Sequence, residues 1–143
     1  MLEKNKFVYA LLCIIKEDII KNKEPISNPI TLIGLDKSKR YRLFLCFFDK
    51  SFNSQYKSLV NYCTIDNIDL EEVSKKKLII LENIHEIEKN KKMQDKLHKL
   101  LNLCLKLKVQ IVLCSDKNIE KLNIDGILKS KMLSGLTGWL NEE

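Results

Sequence analysis

The apolar residues Phe7, Ala10, Leu11, Ile14, Ile15 and Ile19 recur three and four apart, which predicts a first helix ending at the Lys23-Glu24-Pro25 break. Ile30-Thr31-Leu32-Ile33 is too short for a helix and is bounded by Pro29 and Gly34, so it reads as a buried strand opening into a polar loop at Gly34. Residues 41–48 fit two patterns: their aromatic content suits a strand, and their place after a strand and loop suits a crossover helix. Helix is the reading taken. Residues 60–65 have strand composition, residues 69–73 read as a short helical turn, and Leu78-Ile79-Ile80-Leu81 is the clearest buried strand. Met93, Leu97, Leu100, Leu101, Cys104 and Leu107 share one helical face, with Gln94, Lys96, Lys99, Asn102 and Lys106 on the other. Residues 109–114 form a further apolar strand ending in Ser115-Asp116, and a short final helix or turn is expected from Leu128.

Strands alternating with helices imply a parallel sheet with right-handed crossovers, a three-layer α/β architecture. At 143 residues the chain is sized for a single domain over residues 1–143, and its 45% hydrophobic content excludes a disordered chain. The net charge of +6 comes from lysines spread along the whole length, a weak pull toward acidic partners rather than a nucleic-acid arm. The five cysteines, at 13, 46, 63, 104 and 114, sit in apolar segments without a C-x-x-C pair, so they are expected as reduced core residues. His85 and His98 have no partner at ligand spacing and are expected on the surface or a helix flank, without a metal. With no apolar run near the ~20 residues that span a bilayer and no leader-like start, a cytoplasmic protein without a membrane role is expected.

In a parallel sheet, ligands gather at the carboxyl ends of strands, where loops and helix N-termini project N–H groups. Three strand ends carry polar chemistry here: the loop with Gly34, Lys39 and Arg40; the pair Glu82-Asn83; and Ser115-Asp116. Together they outline a nucleotide pocket.

These segments resemble the AAA+ core of the DnaA replication initiators and of Hda, the shorter DnaA-related regulator. Asn5-Lys6-Phe7-Val8-Tyr9-Ala10 is similar to the family's opening helix, and Asn28-Pro29-Ile30-Thr31-Leu32-Ile33-Gly34 to its strand entering the P-loop. Residues 78–87 resemble the Walker B strand and its sequel, residues 110–117 resemble sensor 1, and residues 128–136 the stretch around the arginine finger, with Lys131 at the finger position. The resemblance implies a P-loop NTPase-like fold and a role in DNA replication. A short chain without a DNA-binding domain is expected to be closer to Hda, although residues 1–7 lack the sliding-clamp motif of Hda proteins.

Departures from the family pattern bear on function. A working P-loop reads G-x-x-x-x-G-K-S/T, in which glycines admit the phosphates, Lys neutralises them and the hydroxyl holds Mg²⁺. Here only Gly34 survives, with Lys39 for the second glycine, Arg40 for the Lys and Tyr41 for the hydroxyl residue, while Asp36 adds a negative charge. A Cβ at the second glycine blocks close approach. Glu82 replaces the Walker B Asp, Asn83 replaces the second acid, and the chain ends at Glu143, short of the family's helical lid.

Hydrolysis is therefore expected to be lost, with no cofactor required. The expected role is a non-catalytic regulator of replication initiation acting through contact with DnaA or another AAA+ replication protein, with Lys131 at the contact and DNA reached only indirectly. The alternative is an AAA+ protein that still binds ATP or ADP with Mg²⁺ through Gly34, Lys39, Arg40, Glu82, Asn83, Ser115 and Asp116, with weak or switch-like activity. Plainer accounts stay open for the same residues: Lys37, Lys39, Arg40 and Arg42 as a solvated basic loop, Glu82-Asn83 as a strand cap, and Asp116 as an ordinary helix cap.

Overall fold

A computed structural model of the chain describes residues 5–50 and 52–141. It opens with helix α1 (Lys6–Lys21), strand β1 (Ile30–Ile33) and helix α2 (Lys37–Leu45), which runs into one π-helical turn at Cys46–Lys50. A short helix α3 (Ser54–Lys57) leads to β2 (Val60–Cys63), a 3₁₀ turn at Leu70–Lys75 and β3 (Leu78–Leu81). After a second 3₁₀ turn at Ile84–Ile87 come α4 (Lys91–Leu107), β4 (Gln110–Ser115), a third such turn at Ile119–Lys121, α5 (Gly126–Met132) and β5 (Thr137–Trp139).

All the strands pair in parallel, in the order β2-β3-β4-β1-β5. Side chains alternate between the faces of a strand, so each strand feeds two cores. Ile30, Leu32, Leu78, Ile80, Val112 and Cys114 point to the side covered by α1 and α2, where they meet Val8, Leu11, Leu12, Ile15 and Phe44. Ile79, Leu81, Ile111 and Leu113 point to the other side, under Leu97, Leu100, Leu101 and Cys104 of α4 and Leu128 and Met132 of α5. This is the expected three-layer arrangement.

Several expectations need correction. The buried face of α1 is Val8, Leu11, Leu12, Ile15 and Ile19, whereas Phe7, Ala10 and Ile14 face outward. The helix is apolar around most of its circumference, so periodicity fits more than one face and only packing chooses between them. On α4, Gln94 is buried rather than solvated, because its amide donates to the Ile87 carbonyl at 3.1 Å, and Leu107 is exposed. Cys13 and Cys46 are also exposed, so only part of the cysteine set lies in the core. The helix expected over residues 41–48 begins earlier, at Lys37, and β5 had no counterpart in the periodicity. The absence of a clamp motif was read on residues 1–7, of which residues 1–4 lie outside the described residues. Among the described residues no helix is long and apolar enough to cross a membrane.

Candidate functional site

The order β3-β4-β1 brings the three polar strand ends side by side, with Ser115-Asp116 between Glu82 and Gly34. Gly34 has a positive φ of 109° and donates its N–H to the Ser115 carbonyl at 3.0 Å. A Cβ built there would lie 2.1 Å from the Leu140 carbonyl oxygen, so close passage of the chain after β5 already requires glycine. Leu35 follows at φ 57°, a conformation unusual for a residue with a side chain. Asp36 is then extended and accepts the Lys39 N–H at 2.9 Å as the N-cap of α2. The cap starts the helix at Lys37, which leaves only a short turn between β1 and α2 where the polar loop was expected to run to residue 40.

Early helix onset also aims Arg40. Arg40 and Phe44 are four apart and form the buried stripe of α2, which points at the sheet. Arg40 is 0% exposed and Glu82 is 1% exposed, so neither belongs to a solvated loop or a surface cap. Nε of Arg40 donates to Glu82 Oε1 at 2.8 Å, and Nη2 bonds the same oxygen while lying 3.5 Å from Asn83 Oδ1. Nη1 donates to Asp116 Oδ1 at 2.6 Å, to the Leu35 carbonyl at 2.7 Å and to the Gly34 carbonyl at 3.1 Å. A guanidinium has five N–H donors, and here every nitrogen is engaged by the chain itself.

Glu82 is held from three directions. Besides Arg40, Tyr62 Oη donates to Oε2 at 2.9 Å and the Asn83 backbone N–H donates to Oε1 at 3.0 Å. Asn83 adopts a left-handed conformation, φ 56°, that turns the chain sharply away from β3. Burial opposes the charge on Arg40, but hydrogen bonds to Glu82 and Asp116 outweigh it and raise the guanidinium above its usual range. The Tyr62 phenol is raised first by burial and then by the charge of Glu82. The cluster thus carries one cation against two carboxylates.

Ser115 closes a tight turn, its Oγ donating to the Lys117 carbonyl at 2.6 Å and accepting the Lys117 N–H at 3.0 Å. His85 Nδ1 accepts the Asp116 N–H at 3.1 Å, which joins the turn after β3 to the turn after β4. Lys39 stands apart from Arg40, beside a hollow it lines with Tyr9, Leu35, Arg42 and Asn141. Lys131 is not in the cluster either; its Nζ lies 3.2 Å from His98 Nδ1 and 2.9 Å from Asn102 Oδ1, pinning α5 to α4. Among the described residues no cluster of His, Cys, Asp and Glu could hold a metal.

The structure therefore brings together Gly34, Arg40, Glu82, Asn83, Ser115 and Asp116 and leaves out Lys39 and Lys131. Sequence reasoning missed Tyr62 and His85. Tyr62 could have been found only from the β2–β3 register, which sets it opposite Ile80, two residues before Glu82. His85 is not simply on the surface, since it packs against the turn after β4.

A parallel sheet with β1 between β4 and β5, a strand-turn-helix after β1 and an acid after β3 define the AAA+ class of P-loop NTPase folds. The sequence profile of the bacterial DnaA ATPase domain matches residues 37–138, more than two thirds of the chain, and the chain belongs to that family. It is thus a DnaA-like AAA+ domain of the kind linked to replication initiation. No curated protein sequence matches it. Among solved structures, AMPPCP-bound DnaA from Aquifex aeolicus superposes with a TM-score of 0.78 at 19% identity, covering 98% of this chain and 47% of that one. Domain III of DnaA from Thermotoga maritima gives 0.78 at 18% identity, covering 99% and 64%. The DnaC helicase loader gives 0.59 at 10% identity, covering 93% and 89%. The chain spans about half the length of the first of these relatives.

Proposed function

We propose that this chain is a non-catalytic, Hda-like relative of DnaA that regulates replication initiation by contact with DnaA. One observation carries the reading: Arg40, at the position of the phosphate-binding Lys, is buried and bonded to Glu82, at the position of the metal-site acid. The residues that would grip triphosphate and Mg²⁺ grip each other, and the Asp36 carboxylate caps the helix end where a phosphate would sit.

ATP or ADP with Mg²⁺ does not fit this arrangement. Turning Arg40 outward to meet phosphate strands Glu82 without its cation, and breaking a buried pair costs about 3–5 kcal/mol. At about 1.4 kcal/mol per tenfold, that moves a micromolar site to between about 0.1 and a few millimolar. Gly34, Asn83, Ser115 and Asp116 act in this reading as supports of a fold that stands without nucleotide. Lys131, tied to His98 and Asn102, is the proposed contact point for the partner.

Calorimetric titration with ATP·Mg²⁺ and ADP, phosphate-release assays and co-purification with the DnaA of the same cell test the proposal. Silence at millimolar nucleotide, no turnover and retention of DnaA are the expected results. Micromolar nucleotide binding that vanishes in Arg40→Ala would establish the nucleotide-responsive alternative instead. Failure to retain DnaA would remove the regulatory role.

A further inference from the structure

β2 is the edge of the sheet, and among the described residues no strand pairs with its outer side. Leu59 and Cys63 turn their carbonyls to β3, accepting from Leu78 N at 3.2 Å and Glu82 N at 2.9 Å. Backbone groups alternate along a strand, so the N–H and C=O of Val60 and Tyr62 point away from the sheet. Proteins commonly blunt such an edge with Lys, Pro or a bulge, but Val60-Asn61-Tyr62-Cys63 carries neither residue and pairs in unbroken register.

Beside this edge, on the α2 side, two adjoining hollows of about 490 and 190 Å³ share Tyr41 and Tyr62. Phe44, Phe48 and Val60 continue the lining, and Tyr41 stays 45% exposed although its ring lies tilted against Tyr62, 5.0 Å between centroids. One end of the cleft is the start of α2, with exposed Lys37; the other holds Lys57, paired with Asp49 at 3.3 Å.

We infer that this edge and cleft form a docking site for an extended segment of a partner protein, bearing a large apolar side chain flanked by acidic residues. Added alongside β2, such a segment bonds the main chain of Val60 and Tyr62 and drops alternate side chains into the cleft. Its acidic residue meets exposed Lys37 at the start of α2. The chain's net charge of +6 and the exposed Lys37 favour an acidic partner over a second copy of the chain, which carries the same excess of positive charge. The site goes beyond the proposed function, since it needs neither nucleotide nor DnaA as the particular partner.

A phage library of random octapeptides selected on the immobilised full chain, followed by amide exchange with the best peptide, tests the site. Expected are sequences with an aromatic or large aliphatic residue and at least one Asp or Glu, which slow exchange at Val60 and Tyr62. Lys37→Glu should weaken them by about fivefold, the scale of a single surface charge contact. Val60→Pro should abolish binding, since it removes an outward N–H without touching the bonds to β3. If Val60→Pro fails to fold, Tyr41→Glu, which removes an exposed ring from the cleft wall and sets a negative charge against the acidic flanks, takes its place and should abolish binding. No enrichment, enrichment of basic sequences, binding indifferent to these variants, or β2 amides protected by self-association without peptide would each overturn the inference.

Discussion

Arg40→Met removes the cation at the centre of the cluster while keeping its length and apolar stem, and leaves Glu82 buried with only Tyr62 Oη and the Asn83 N–H as donors. Glu82→Met does the converse, leaving Arg40 with Asp116 and the carbonyls of Gly34 and Leu35. Breaking one side of a buried pair costs about 3–5 kcal/mol, while replacing both sides with apolar residues is often neutral or better. Glu82→Met should fall at the low end of that range because Asp116 remains. The double variant should lie within about 2 kcal/mol of the parent, giving a coupling of at least about 4 kcal/mol. For a chain of this size each kcal/mol shifts Tm by about 2–4 °C, so each single variant should melt about 10 °C lower. Urea unfolding followed by far-UV circular dichroism, with no nucleotide present, measures all four corners of the cycle. Single variants within about 1 kcal/mol of the parent, or strict additivity, would refute the reasoning. A site kept for nucleotide predicts that outcome, since its Arg would be idle without phosphate.

Three further outcomes follow from the same geometry. Gly34→Ala should destabilise the nucleotide-free chain by about 2–4 kcal/mol in urea unfolding, through its positive φ and the clash with Leu140, whereas Gly126→Ala, with open space around it, should be tolerated. Tyr62→Phe should cost about 1.5–3 kcal/mol for the lost bond to a carboxylate. The raised Tyr62 phenol stays protonated in the fold while the unfolded chain ionises near pH ~10, so the unfolded state binds fewer protons and stability falls as pH rises past that value. Urea midpoints between pH 9 and 11 should fall less steeply for Tyr62→Phe than for the parent. With iodoacetamide and peptide mapping, exposed Cys13 and Cys46 should label first. Cys63 and Cys104, whose thiols burial pushes up to about 11 and about 12, should label late, and fully buried Cys114 only on unfolding.

Much of the fold follows from local pattern. Leu78–Leu81 and the segment around β4 are continuous apolar runs, and the α4 stripe repeats at helical spacing, because burial on both faces or on one leaves a periodic trace in the residues themselves. The polar residues after Ile33, Leu81 and Cys114 marked the candidate site because ligands gather at the carboxyl ends of the strands of a parallel sheet. The face of α1, burial of Gln94 and the three-residue β5 left no such trace, because neighbours distant in the chain decide them.

The state of the site was the least legible part. From the chain, Arg40 is one of four basic residues in a short stretch, and nothing local separates it from Lys37, Lys39 or Arg42. Its fate depends on Asp36 starting α2 early, on the four-residue step to Phe44, and on a strand order that sets Glu82 and Asp116 beneath the helix. The sequence by itself determined that a P-loop-type scaffold exists and that residues 34–41 depart from G-x-x-x-x-G-K-S/T. Only the tertiary structure decided that the altered residues bond one another, because a buried charge takes whichever counter-charge the packing places within reach.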